Sequence, residues 1–354
     1  MYFVNPNVKN LYRTSYQDIR KDFIRLDMNE NPEGLPGPFF NKVMSSVSPE
    51  MISMYPEKND LIKKIAESLN YKAENIALTN GSDDAIRLLF EVFGEPGKKV
   101  ISASPTFEMY SVYTKMYGLK YCPIEYGQDF RLNTNYFINS IDEDTSVVIL
   151  LNPNSPIGDP WREEEVIMII EKARENRAIV VIDEAYHYFY DQTFISLVGK
   201  YENVVVFRTF SKMLSIAGLR IGYAISNPDI IRFLSNASST YPVNSLAIRF
   251  AEELMDHPDV IQSLKASELE GREWLLSKLR ESEYEHYYNN GNYVLIRSNN
   301  DPKVIFTELK KRGILIKIYS YPILIKWIRI TTGSYDTMNR FWNEFENIEK
   351  SLPC

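Results

Sequence analysis

The sequence predicts an α/β fold whose larger part is a mainly parallel sheet covered by helices, with a smaller α+β part after it. Three observations point there. Short β-branched runs alternate with helical segments from about Ile76 to Ile225, the pattern of strands joined by helical crossovers. Polar, turn-forming clusters follow the carboxyl ends of several of those runs, where open α/β sheets bind their ligands. Beyond Pro258 the pattern becomes one long charged amphipathic segment followed by a second, shorter set of apolar runs.

The strand candidates are, in order, Ile76 to Thr79, Lys99 to Ser102, Ser146 to Leu151, Ala178 to Ile182, Val204 to Phe207 and Ile221 to Ile225. Each is a short apolar or β-branched run of a length that suits a buried strand. Between them, Asp84 to Phe93 and Glu163 to Asn176 read as helices. Asp259 to Glu283 reads as one helix, with Ile261, Leu264, Leu269, Leu275, Leu276 and Leu279 as its apolar positions. Tyr293 to Ile296, Ile314 to Ile316 and Trp327 to Ile330 follow as strands, with Val304 to Lys311 a helix. The expected division is an N-terminal arm over residues 1–35, a large domain over 36–258, a connecting helix over 259–282 and a small domain over 283–354.

Composition narrows the function. A chain of 354 residues that is 44% apolar buries a large core and suits an enzyme-sized globular protein. The net charge is −7 with both signs interspersed, so no basic stripe is available for nucleic acid. No apolar run approaches membrane-spanning length and the first residues lack a signal pattern, so a cytoplasmic protein is expected. Cys122 and Cys354 are too few for a disulfide framework, and His187, His257 and His286 are too scattered for a structural metal site.

Four polar clusters carry the chemistry. Thr79-Asn80-Gly81-Ser82-Asp83-Asp84 runs from a strand into a helix, and the free amides of that helix start suit an anion such as a phosphate. Asn152-Pro153-Asn154-Ser155-Pro156-Ile157-Gly158 is a rigid loop presenting short polar side chains. Ile182-Asp183-Glu184-Ala185-Tyr186 delivers a carboxylate that, if buried, needs a cationic partner. Thr209-Phe210-Ser211-Lys212 puts a lysine just past a buried strand, with Arg220 eight residues on. A lysine so placed condenses with an aldehyde if desolvation or a neighbouring cation lowers its pKa. Taken singly, each cluster also fits a helix cap, an ordinary loop or a solvated lysine. Together they should face one crevice, and their chemistry is complementary.

The motifs Leu26-Asp27-Met28-Asn29-Glu30-Asn31-Pro32, Tyr55-Pro56, Gly81-Ser82-Asp83, Ser104-Pro105-Thr106-Phe107, Asp183-Glu184-Ala185-Tyr186, Arg208-Thr209-Phe210-Ser211-Lys212, Ala217 to Tyr223 and Ile328-Arg329-Ile330-Thr331 occur in a telling order and spacing. The chain resembles the fold-type-I pyridoxal-phosphate aminotransferases, most closely the histidinol-phosphate aminotransferase group, from Asn7-Val8 to Gly333. The resemblance implies a seven-stranded, mainly parallel sheet and pyridoxal 5'-phosphate as cofactor. It implies that Lys212 binds the cofactor covalently and moves the substrate proton, that Asp183 pairs with the pyridinium nitrogen and that Tyr186 bonds the phenolic oxygen. Phe107 would stack on the ring, and Ser82, Asp83, Thr209, Ser211 and Arg220 would hold the phosphate. Tyr55 would reach that phosphate from a second subunit, which makes the expected form a homodimer with shared active sites.

Two positions depart from the family. The asparagine that contacts the phenolic oxygen falls on Ser155, and an arginine expected four residues after Gly313 is Lys317. Lysine keeps the charge and loses the fork. With Arg329 and Tyr16, Lys317 would surround a substrate phosphate. The resemblance therefore implies a transaminase, with glutamate as amino donor and a small phosphorylated, histidinol-phosphate-like ketone or aldehyde as acceptor. Decarboxylation of a phosphoserine- or phosphothreonine-type amino acid is the alternative on the same scaffold. A ligand sensor in a transcription regulator is a third reading, disfavoured by the roughly 25 residues before Leu26.

Overall fold

The computed structural model describes residues 2–9, 11 and 19–352. Seven strands form the large sheet: β1 (Ile76–Thr79), β2 (Lys99–Ser104), β3 (Lys120–Glu125), β4 (Thr145–Leu151), β5 (Ile179–Asp183), β6 (Val204–Thr209) and β7 (Gly222–Ser226). Their order is β1-β7-β6-β5-β4-β2-β3. Only β7 runs against the rest, antiparallel to both β1 and β6; the pairs from β6 outward to β3 are parallel. The centre of the sheet is apolar on both faces because both are covered. Val148, Leu150, Val180, Ile182, Val204 and Val206 enter one core, while their alternates Val147, Ile149, Val181, Val205 and Phe207 enter the other.

Six of the seven strands match the expected runs to within two residues at either end. The seventh, β3, was missed because Pro123 interrupts it and only Ile124 of its six residues is buried. Both features are tolerated because β3 is an edge strand, where a missing N–H leaves no ladder bond unmade.

The long helix spans Pro258–Glu281 and buries Leu264, Glu268, Gly271, Leu275, Leu276 and Leu279. Leu269, expected in its apolar stripe, is exposed, and Glu268 takes the inward position. Positions 264, 268, 271, 275 and 279 follow the three-or-four spacing of one helix face, and residue 269 falls off it. The helix packs with Tyr335–Ser351 over an antiparallel sheet in which Trp327–Thr331 lies between Tyr293–Arg297 and Lys317–Ile318. Leu275, Leu279, Val294, Ile296, Ile328, Ile330, Phe341 and Phe345 share that core.

Ile314 to Ile316, read as a single strand, is instead a junction. Ile314–Leu315 pairs in parallel with Ile24–Arg25, whereas Lys317–Ile318 joins the antiparallel sheet. The N-terminal segment is thereby tied to the C-terminal sheet, and Thr331 N donates to Leu26 O at 2.9 Å. The residues after Leu26 then continue toward the carboxyl ends of β5 and β6.

Candidate active site

The carboxyl ends of β1, β4, β5 and β6 bring the polar clusters together. At β1, Gly81 (φ +78°) turns the chain into the helix Ser82–Phe93. A Cβ at Gly81 would stand 2.7 Å from Arg220 Nη2, and one at Gly222 would stand 2.8 Å from the amide nitrogen of Ser82. A guanidinium and helix-start amides thus converge where neither glycine could carry a side chain. Thr209 Oγ1 donates to Ser211 Oγ at 3.0 Å and accepts from Ser211 N at 3.1 Å, keeping both hydroxyls at the end of β6. Amides, two hydroxyls and one arginine form a cradle for a phosphate-sized anion.

Asp183, the last residue of β5, is 2% exposed. Its Oδ2 accepts from Tyr110 Oη at 2.8 Å and its Oδ1 from the Ala185 amide at 3.1 Å. Burial pushes its pKa from 3.8 up to about 6, against the opposing pull of Tyr110, the Ala185 amide and the charge of Lys212. A buried carboxylate held so far above its usual range is stabilised by any cation brought to it. Phe107, exposed, stands edge-on to Tyr110 with ring centroids 5.6 Å apart.

Lys212 lies past the end of β6, and its Nζ donates to Met28 O at 2.9 Å and sits 5.8 Å from the Tyr186 ring centre. Tyr186 Oη and Ser155 Oγ both accept from Asn29 Nδ2, at 2.8 and 3.2 Å. The loop bearing Ser155 is pinned through Asn154, which accepts from Thr106 Oγ1 at 2.7 Å and donates to Pro105 O at 2.9 Å.

Arg329 is buried beside this cluster. Its Nη1 donates to Tyr319 Oη at 2.8 Å, its Nη2 donates to Asp27 O, and its Nε has no partner among the described residues. Lys317 is the cross-strand neighbour of Arg329, so the two cations share one face of the antiparallel sheet. Tyr55 is 75% exposed and its ring stacks on Tyr241 with centroids 4.4 Å apart. Tyr16 lies outside the described residues.

Tyr110, Asn29 and Tyr319 were not singled out in the sequence. Tyr110 had a local signal, since it follows Phe107 by three residues at a helix start and so shares its side. Tyr319 had none and Asn29 had only its place in the Leu26 to Pro32 motif, because their partners Arg329 and Tyr186 come from a strand turn and a remote segment.

The fold has counterparts among solved structures. Solved structures sharing it include the histidinol-phosphate aminotransferase from Sinorhizobium meliloti in complex with pyridoxal-5'-phosphate, with a TM-score of 0.90, 20% identity and coverage of 100% of this chain and 99% of that one. The L-threonine-O-3-phosphate decarboxylase from Porphyromonas gingivalis also shares it, with a TM-score of 0.77, 21% identity and coverage of 93% and 100%. In sequence, the chain is 33% identical over 329 residues to a histidinol-phosphate aminotransferase of Caldanaerobacter subterraneus subsp. tengcongensis, covering 92% of each. The family model for aminotransferase class I and II matches residues 22–345. The chain belongs to that family and is a pyridoxal-phosphate-dependent aminotransferase. The anion cradle, the buried Asp183 and the lysine at the end of β6 fit that cofactor.

Proposed function

We propose that this enzyme takes the amino group of glutamate and passes it to a small phosphorylated ketone or aldehyde of the histidinol-phosphate type, working as a cytoplasmic homodimer. The observation that carries the choice of substrate is the pairing of Lys317 with Arg329 on one face, with Tyr319 between them and Arg329 Nε without a partner among the described residues. Two cations and a phenol suit the double charge of a phosphate, and suit a neutral side chain poorly. Relatives at 30 to 33% identity named histidinol-phosphate aminotransferase support the same reading.

When bound, pyridoxal phosphate supplies the aldehyde that receives the amino group and a ring that takes up the electron pair left at Cα. Lys212 would hold the cofactor and, once displaced, take the Cα proton and return it, work worth roughly two to four powers of ten. Asp183 would hold the proton on the ring nitrogen. Tyr186 and Ser155 would donate to the phenolic oxygen, and Phe107 would cover one ring face. Ser82, Asp83, Thr209, Ser211 and Arg220 would bind the phosphate, with Tyr55 reaching the other subunit's site. That last role agrees with the exposure of Tyr55, which projects into solvent.

The test is turnover of histidinol phosphate with 2-oxoglutarate, compared with histidinol lacking the phosphate. Glutamate should form from the phosphorylated amine with a kcat/KM at least about a hundredfold higher. Equal use of both amines would overturn the assignment of the phosphate site, and carbon dioxide release from a phospho-amino acid would favour the decarboxylase instead.

A further inference from the structure

Ser155 is shorter than the asparagine the resemblance leads one to expect, and the space beside it holds another amide. Asn29 is 1% exposed and adopts a left-handed backbone (φ +56°) that aims its side chain into the site. Its surroundings fix which way round the amide sits. Thr331 Oγ1 accepts from Asn29 N at 3.0 Å, so its own hydrogen is free to donate to Asn29 Oδ1 at 3.3 Å. With Oδ1 turned to Thr331, the NH2 group faces Tyr186 Oη and Ser155 Oγ and donates to both. Asn292 Nδ2, donating to Asn29 O at 3.1 Å, locks the backbone from the other side.

The polarity of these bonds has a consequence. A hydroxyl that accepts from an amide keeps its own hydrogen to give elsewhere. Tyr186 and Ser155, both accepting from one NH2, are therefore presented as a pair of donors with their hydrogens directed away from Asn29. An ionised carboxylate at residue 29 would accept only, and would draw both hydrogens back.

We propose that Asn29 is a positioning residue that sets Tyr186 and Ser155 as simultaneous hydrogen-bond donors to the cofactor's phenolic oxygen, replacing from the N-terminal segment the amide that the Ser155 loop lacks. The assignment rests on the reading of Tyr186 and Ser155 as partners of that oxygen. It also ties the donor pair to Thr331, two residues beyond Arg329 on the same strand.

Donors to the phenolic oxygen stabilise it most when it carries full negative charge, which is after the neighbouring lysine-derived nitrogen has lost its proton. Weakening the donors therefore moves that deprotonation to higher pH. The experiment is a pH titration of the visible absorption of the holoenzyme for wild type, Asn29→Gly and Asn29→Asp, with Asn29→Gly/Ser155→Asn as the rescue. Glycine accepts the positive φ, and aspartate keeps the shape.

Asn29→Gly should raise the midpoint by roughly half to one pH unit, and Asn29→Asp by more. The double variant, with an amide restored on the loop, should return toward wild type. Both single variants should keep their cofactor, since Lys212 and the phosphate cradle are untouched. Midpoints within about 0.2 units of wild type for both single variants would overturn the proposal, as would identical shifts for Gly and Asp or loss of bound cofactor. A wild-type enzyme with no visible band would instead refute the covalent role of Lys212, and the titration is independent of which acceptor the enzyme uses.

Discussion

Replacing Asp183 with Asn isolates the cost of burying this carboxylate. The group is 2% exposed, and burial pushes its pKa from the ordinary 3.8 up to about 6. Below the lower value both folded and unfolded chains are protonated and the group contributes nothing unfavourable. As pH rises through the interval the unfolded chain ionises first, so stability falls and the loss levels off above the folded pKa. A shift of about two units corresponds to roughly 3 kcal/mol.

Asparagine retains an acceptor for the Ala185 amide and has no charge to desolvate. The stability of cofactor-free Asp183→Asn relative to wild type should therefore increase by roughly 2–3 kcal/mol between pH 4 and pH 7. With pyridoxal phosphate bound the order should reverse, because only the carboxylate answers the ring cation. Urea denaturation of both proteins across that pH range, with and without cofactor, reads the difference directly. A stability difference that does not change with pH in the cofactor-free proteins would refute the assignment of a costly buried charge to Asp183.

Three other substitutions follow from the geometry. Gly222→Ala puts a Cβ 2.8 Å from both Arg208 O and Ser82 N; cofactor affinity should fall roughly tenfold or more by fluorescence titration, and unchanged affinity would remove β7 from the phosphate cradle. Glu184→Gln leaves the buried Arg208 guanidinium, now bonded to Glu184 Oε2 at 2.8 and 3.0 Å, without its counter-charge. The expected loss is about 3–5 kcal/mol in chemical denaturation, and a loss under about 1 kcal/mol would show the pair to be replaceable. Arg329→Lys keeps charge but cannot hold Tyr319 and Asp27 O together while reaching a substrate; KM for the anionic substrate should rise roughly ten- to a hundredfold with a smaller change in kcat, and an unchanged KM would place substrate recognition elsewhere.

The strand-end clusters were legible because their signal is local. A buried apolar run that ends in a turn-forming polar group announces a binding edge at Ser82, Ser155, Asp183 and Ser211 without knowledge of any partner. Strand β3 hid behind Pro123, since whether a proline is tolerated depends on edge position, a property of the whole sheet. The register of Ile314 to Lys317 was similarly concealed: its run is continuous in sequence, yet it is shared between Ile24–Arg25 and the antiparallel sheet. Asn29 was visible only as part of a motif. Its partner Tyr186 is 157 residues away, and the direction in which its amide points is set by Thr331, 302 residues away. Polar pairs across such separations leave no periodicity to read.

The most direct measurement mixes the yellow holoenzyme with glutamate, follows its visible absorption and assays 2-oxoglutarate in the same sample. Loss of the band with one equivalent of 2-oxoglutarate per active site, and its return on adding a phosphorylated ketone acceptor, is the predicted result. An unchanged spectrum with glutamate, together with carbon dioxide release from O-phosphothreonine, would contradict it.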